Sequence, residues 1–387
     1  MIRNLPRVMP DGMLAAVLLS FLATAGFFYV NIMPAIVTGL IDGLHFSAPD
    51  AGRVGAANVY GAAVGALLAV WLVTQVAWRR LAIVSLCALL ALDLVSMDIR
   101  LPLPLICARF AHGVFGGALV GTSFSLIART RVPERTFGML LVLQFGIGGL
   151  GVMFLPRLVP LWGAQVLFLC LAAFSLVTLA IVPFLPDYAA KAAATRDVAA
   201  QSTNAQRALL GVALLAVFLF QGGNMALTAY IIELGRAYGL TTNDISATLG
   251  LANWIGASGS VLVIAIQLKW GRVRPLLVAL AVSVFGTLAL HLSANGTAFA
   301  AANIVTAIAW SFGIPYLLGL CASFDRHGRA ATLAGFCSKM GLASGPLAAS
   351  VLLSTGDWGL LINLASVALV MSGLFAFLPA ACLDRRA

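Results

Sequence analysis

The chain carries one sequence element twice, half a chain apart. Gly55, Ala57, Asn58, Gly61 and Ala62 return as Gly250, Ala252, Asn253, Gly256 and Ala257, an offset of 195 residues in a chain of 387. The same offset carries Arg79 onto Arg274 and Gly146 onto Gly341. A half-length repeat has to fold as two similar bodies. In an apolar chain it predicts a duplicated bundle of membrane helices, with any ligand site between the halves near mid-bilayer.

The composition supports a bilayer rather than water as solvent. Hydrophobic residues make up 61% and charged residues 9%, against about 25% charged in ordinary soluble chains. Mean hydropathy is +1.03, more apolar surface than a soluble fold of this size can hide. The net charge of +10 does not point to nucleic acid, because the basic residues are dispersed between apolar runs and form no stripe with interleaved aromatics. The six cysteines form no C-x-x-C pair and none falls in a predicted outer loop. They read as packing residues, not as a disulfide framework or a metal site. Arg3 and Arg7 before an apolar run, with Ala23-Thr24-Ala25, resemble a signal peptide, but the run continues through Ile41 and is too long for one.

Windows of about 20 apolar residues place helices near 11–40, 50–74, 81–98, 102–127, 137–160 and 163–186, then 208–236, 243–267, 275–293, 297–322, 330–354 and 358–381. The expected organisation is a six-helix bundle over residues 1–186, a polar linker over 187–207 and a second bundle over 208–387. With the N-terminus inside, 17 of the 23 basic residues fall in inner loops or at the inner termini. Only Arg53, Arg100, Arg157 and Arg236 fall outside. This positive-inside bias predicts both termini on the cytoplasmic side of an inner or plasma membrane.

At this point the chain resembles the major facilitator superfamily over essentially its whole length. Between the second and third helices that family carries a Gly-rich helix end, an Asp and a basic cluster. Here the segment reads Val73-Thr74-Gln75-Val76-Ala77-Trp78-Arg79-Arg80, and its second copy reads Lys269-Trp270-Gly271-Arg272-Val273-Arg274-Pro275. The basic residues are kept and the Asp is missing from both. The fourth-helix signature is Arg109-Phe110-Ala111-His112-Gly113, followed by Gly116-Gly117-Ala118. The Gly-Pro pattern associated with antiporters appears in the second half, as Gly341-Leu342-Ala343-Ser344-Gly345-Pro346. The resemblance implies an all-α integral membrane protein of twelve helices in two pseudo-symmetric halves, working by alternating access.

Ionisable groups inside a bilayer cost about 2.5–3.5 kcal/mol each on insertion scales, so each needs a partner, a wet cavity or a function. Asp93 and Arg109 reach similar depths on antiparallel neighbours, because each lies a few residues from their shared turn. They form an ion pair, or Arg109 faces the cavity with Asp93 holding it. His112 is on the face of Arg109, either hydrogen-bonded in the bundle or titrating with an intrinsic pKa of about 6.5. Lys339 lies deep in the eleventh helix with no acid at its depth on an evident neighbour. It meets an anionic substrate, pairs with Asp93, or stays neutral. Its repeat counterpart is Gln144.

The first helix carries Tyr29 and Asn31, and the seventh carries Gln221 and Asn224. Mid-helix amides need partners, from a neighbouring helix or from a ligand. In the resembled family the first, fourth, seventh and tenth helices line the cavity, which also points to Trp310. Asn58 and Asn253 are expected to bond between helices. Gly61 and Gly256, with Gly345 and Pro346, are expected to act in close helix contacts, with the glycines as possible sliding surfaces during rocking.

No G-x-x-x-x-G-K segment, metal-ligand cluster or nucleophile motif is present, so an ATP-driven machine, a cofactor protein or an embedded enzyme is not expected. The expected function is secondary transport of a small organic anion or acid-bearing metabolite, coupled to protons, by a monomer in the lipid bilayer. Arg109, Lys339, Asn31, Gln144, Gln221, Asn224, Tyr29 and Trp310 would bind substrate. Asp93 and His112 would sense the proton. The alternatives are proton-antiport export of drugs or amphipathic metabolites, and a transporter-like receptor or assembly factor without flux.

Overall fold

The computed structural model describes residues 7–10, 12–127, 129–130, 133–188, 204–266, 269–324, 329–353 and 356–385. The expected linker lies mostly outside them, and its last residues already belong to a helix. The chain folds into α1 (Met13–Asn31), α2 (Met33–Leu44), α3 (Ala48–Gln75), α4 (Trp78–Ser96), α5 (Pro102–Ile127), α6 (Pro133–Trp162) and α7 (Gln165–Ile181). The second half holds α8 (Asn204–Thr228), α9 (Ile231–Ala237), α10 (Thr242–Ile266), α11 (Val273–Ala289), α12 (Gly296–Ala322), α13 (Arg329–Leu352) and α14 (Trp358–Asp384). No strand occurs among the described residues.

These fourteen helices make twelve spans, because the first and seventh spans are each broken in two. The break residues adopt nearly the same backbone: Ile32 has φ −110° and ψ 17°, and Tyr230 has φ −114° and ψ 16°. In the first half Pro34 explains the break, since its ring removes a donor and crowds the carbonyl four residues earlier. The second half has no proline there. Instead the fully buried Tyr230 donates its hydroxyl to the Ala48 carbonyl of the other half at 2.8 Å. Among the described residues, nine helices are long and apolar enough to cross a membrane by composition alone. The α4 helix misses that standard because it carries Arg79, Arg80 and Asp93.

The halves are built by close helix contacts. In the first half α3 lies on α5, and a Cβ added at Gly61 would overlap the Phe110 carbonyl oxygen. Reciprocally, a Cβ at Gly113 would overlap the Asn58 carbonyl oxygen. Small residues four apart on both helices let the backbones meet. In the second half a Cβ at Gly256 on α10 would come within 2.8 Å of the Ala307 Cβ on α12, and one at Gly345 on α13 would meet the Gly222 carbonyl on α8. All these contacts join helices of the same half. Gly61 and Gly256 therefore sit in welds inside each bundle, not on surfaces along which the halves slide. The halves meet along α3 with α13 and α6 with α10, where the buried Pro346 lies near Gly52.

The face that carries the start of α1 also carries the basic loops. There the missing loop acid is supplied from further along the chain in both halves. Arg79 donates to Asp187 Oδ1 at 3.0 Å and to the Val182 carbonyl at 2.9 Å, and Arg7 also donates to Asp187. The Arg79 hydrogen bond holds the Asp187 carboxyl below the usual carboxylate range. In the second half Asp384 accepts from the backbone N–H of Arg272 at 2.8 Å and of Val273 at 3.0 Å. Each acid follows or ends the sixth span of its own half.

Candidate functional site

Two polar groupings lie at mid-depth, one sealed inside the first half and one on the seam between the halves. In the sealed one, Arg109 and Asp93 are both fully buried and pair at 2.6 Å. The guanidinium also donates to the Leu92 carbonyl at 2.8 Å and to the Ser96 hydroxyl. Its carbon lies 5.1 Å from the Phe168 ring centre and 6.0 Å from that of Tyr29. His112 Nε2 is 3.3 Å from Asp93 Oδ1, and its Nδ1 is 2.8 Å from Asn58 Nδ2, which also donates to the Arg109 carbonyl at 3.2 Å. Asp93 thus pairs with Arg109, not with Lys339.

Helix spacing explains this cluster. Arg109 and His112 are three residues apart on α5 and share a face. Asn58 reaches them because the Gly61–Gly113 contact brings α3 onto α5. Tyr29 closes the group from α1, its ring 5.9 Å from His112. In this conformation neither Arg109 nor Tyr29 reaches the seam, since they are 0% and 1% exposed. Asp93 Oδ2, Arg109 Nε and the Tyr29 hydroxyl are buried with no hydrogen-bond partner among the described residues.

The seam holds the other grouping. Lys339 on α13 is half-buried, and its Nζ lies 4.7 Å from the ring centre of Phe27 on α1, in the opposite half. Among the described residues the ammonium has neither an ion pair nor a hydrogen-bond acceptor. Trp310 on α12 donates its indole N–H to Gln221 Oε1 at 2.7 Å. Gln221 Nε2 donates in turn to the Ser338 hydroxyl at 2.7 Å, on the residue preceding Lys339. Across the seam, Phe145 on α6 meets Trp310 edge to face, with centroids 6.3 Å apart and planes at 76°.

The remaining amides divide. Gln144 is half-buried on α6 beside Phe145 and has no side-chain partner among the described residues. Asn31 lies at the end of α1 with its Nδ2 buried and unpartnered. Asn224 turns back to the Phe220 carbonyl of its own helix at 2.8 Å. The repeated asparagines differ as well. Asn58 bonds between helices, but Asn253 donates at 3.1 Å to Leu249 of its own helix, which corrects the expectation of an interhelical bond there. The α5 histidine that Asn58 answers has no counterpart on α12.

Sequence reasoning missed Phe145, Ser338 and the acids at positions 187 and 384. Adjacency to Gln144 and Lys339 was the available signal for the first two. The shared place after the sixth and twelfth spans was the signal for the acids. No group of three or more His, Cys, Asp or Glu residues able to hold a metal ion occurs among the described residues.

Twelve spans in two like halves define a polytopic membrane protein. The sequence profile of the Major Facilitator Superfamily matches residues 16–346, and the chain belongs to that family. The fold is similar to that of a nucleoside transporter, NupG, with a TM-score of 0.71 and 12% identity over 95% of this chain and 98% of that one. It is also similar to a D-xylose-proton symporter, with a TM-score of 0.70 and 14% identity over 95% and 97% of the two chains. No curated protein sequence matches the chain.

Proposed function

We propose that the protein is a proton-coupled transporter of a small organic anion or acid-bearing metabolite, and that Lys339 is the ligand for the negative group. One observation carries this reading: the Lys339 ammonium stands between the halves, against the Phe27 ring, with no counter-ion among the described residues. A cation at that depth is costly, and the Phe27 ring offsets only about 0.5–2 kcal/mol of that. A substrate carboxylate supplies the missing partner. Gln144 and Asn31 have amide capacity free to orient the rest of the molecule, and Gln221 and Asn224 complete the polar lining.

Alternating access follows from where the halves are joined. At the face away from the N-terminus, Arg236 on α9 grips Asp42 on α2 at 2.7 and 2.9 Å, and Arg157 donates to the Asn243 carbonyl at 2.8 Å. The α3 contacts with the second half, Gly52 near the Pro346 carbonyl and Tyr60 with Ser344 at 2.8 Å, lie in the part of the helix toward that same face. With the basic loops in the cytoplasm, as the positive-inside rule requires, this is an inward-facing state. Asp93 and His112 form the proton-sensitive element. The unpartnered Asp93 Oδ2 beside a histidine is a place where a proton alters the hold on Arg109, which then connects the sealed cluster to the seam.

The aromatic character of the seam, with Phe27, Phe145 and Trp310, supports a second reading as a proton-antiport exporter of amphipathic molecules. A thermal-shift screen of the purified protein with organic acids, sugars, amino acids and lipophilic cations separates the two. Stabilisation by anions that disappears in Lys339→Ala is the expected outcome. Equal responses of both proteins, or responses to cations alone, would move export to first place.

A further inference from the structure

We infer that the seam selects flat aromatic monocarboxylates, with the carboxylate on the Lys339 ammonium and the ring against Trp310 and Phe145. This rests on the reading of Lys339 as the anion ligand and narrows its substrate class.

The charge sets the first limit. Lys339 is the one cation seen on the seam among the described residues at mid-depth, because Arg109 is neutralised by Asp93 and sealed away. A single carboxylate balances a single ammonium. A second carboxylate on the ligand would be left without a partner in a site of low polarity.

The rings set the second limit. Two pairs bridge the seam, Phe27 with Lys339 and Phe145 with Trp310, and in each the first half contributes a phenyl ring. The Phe145–Trp310 pair is edge to face rather than stacked. Both rings are partly exposed at this junction, and a flat aromatic ligand stacks offset on such rings better than a puckered one.

Rigidity sets the third. Gln221 is tied at both ends, to the Trp310 indole and to Ser338 next to Lys339. The link fixes the indole against α13, the helix that carries Lys339, so little freedom of the ring platform is lost when a ligand binds. Gln221 is the positioning residue and Trp310 the selecting one. A ligand that touches both bridging pairs contacts both halves at once, which connects its binding to their rearrangement.

Calorimetric titration of the purified full-length protein tests this with benzoate, cyclohexanecarboxylate and benzamide. These share size but differ in planarity or charge. Benzoate should bind about two- to twelve-fold more tightly than cyclohexanecarboxylate, the range expected of one aromatic pair, and benzamide should not bind. Lys339→Gln should abolish binding of both acids. Trp310→Leu should bring benzoate to the level of cyclohexanecarboxylate. Trp310→Phe, which keeps a ring and loses the indole N–H, should retain part of the preference and guards against a folding defect in the leucine variant. Equal affinity for the two acids, both dependent on Lys339, would overturn aromatic selection and leave the anion site standing. Binding of benzoate unaffected by Lys339→Gln, or no binding of either acid, would overturn both.

Discussion

Arg236 closes a two-pronged grip on Asp42 across the boundary between the halves, with donor–acceptor distances of 2.7 and 2.9 Å. Glu233, one turn earlier on the same short helix, holds the guanidinium from behind at 3.2 Å. Asp42 belongs to α2 and Arg236 to α9, the two segments that follow the breaks at Ile32 and Tyr230. The breaks therefore deliver a matched acid and base to the same face. Both side chains are 27% exposed, so the pair contributes modestly to stability; under the proposed alternating access it would bias which face is open.

Asp42→Asn should weaken the closed face. At about 1 kcal/mol for a partly exposed pair, the open and closed populations shift about five-fold. Spin labels at the exposed positions Asp98 and Ala294, on that face of each half, should show a larger share of long distances in the variant.

The sealed pair behaves differently. Asp93→Asn leaves Arg109 buried without a counter-charge, and Arg109→Gln leaves Asp93 in the same position. Each should destabilise the first half by about 3–5 kcal/mol, seen as a lower unfolding temperature in detergent. A double variant with the charges exchanged should recover part of the loss. If both single variants keep wild-type stability, the pair is not structural and its role is transport alone.

Replacing Gly61 should harm folding rather than motion. A Cβ there meets the backbone of α5 and not the end of a movable side chain. Gly61→Ala should cost about 1–3 kcal/mol through overpacking. Gly138→Ala, where nothing lies within 4 Å of the new atom, should cost nothing in the same melting experiment and should gain up to about 1 kcal/mol from helix propensity.

The Asp187 clasp gives a pH dependence with a defined sign. Its carboxyl is held below the ordinary carboxylate range by the Arg79 hydrogen bond. A group whose pKa is depressed on folding contributes stability above its unfolded pKa of about 4 and loses it as pH falls through the folded value. The wild type should therefore melt above Asp187→Asn at pH 7, and the difference should shrink as the pH is taken below about 4. A difference that stays constant across that range would place the stabilisation elsewhere.

Much of this architecture is legible in the sequence because it rests on short-range rules. The repeat of Gly55 to Ala62 gives the two halves, the apolar windows give the spans, and the shared turn between α4 and α5 puts Asp93 opposite Arg109. The break at Ile32 is foreshadowed by Pro34. Its twin at Tyr230 is not, because no proline marks it; there the Tyr230 hydroxyl reaches the Ala48 carbonyl of the other half. The acids missing from the loop motif are recovered only in three dimensions, where the ends of the sixth and twelfth spans bring Asp187 and Asp384 back to it. Arg109 could have faced either way from its sequence position, and packing against Phe168 and Tyr29 decides for the interior. On the seam, Gln221, Trp310 and Lys339 are visible as polar or aromatic residues in apolar helices. Their connection through Ser338 depends on how α8, α12 and α13 meet, which no spacing rule supplies.

The most direct test of the central claim is solute counterflow in proteoliposomes. It uses the organic acid that stabilises the protein most, compared between wild type and Lys339→Gln. The account predicts that the wild type accumulates labelled acid against unlabelled acid inside, and that Lys339→Gln, still folded by its melting profile, does not. Exchange by Lys339→Gln at the wild-type rate, or tight binding by the wild type without any exchange, would contradict it.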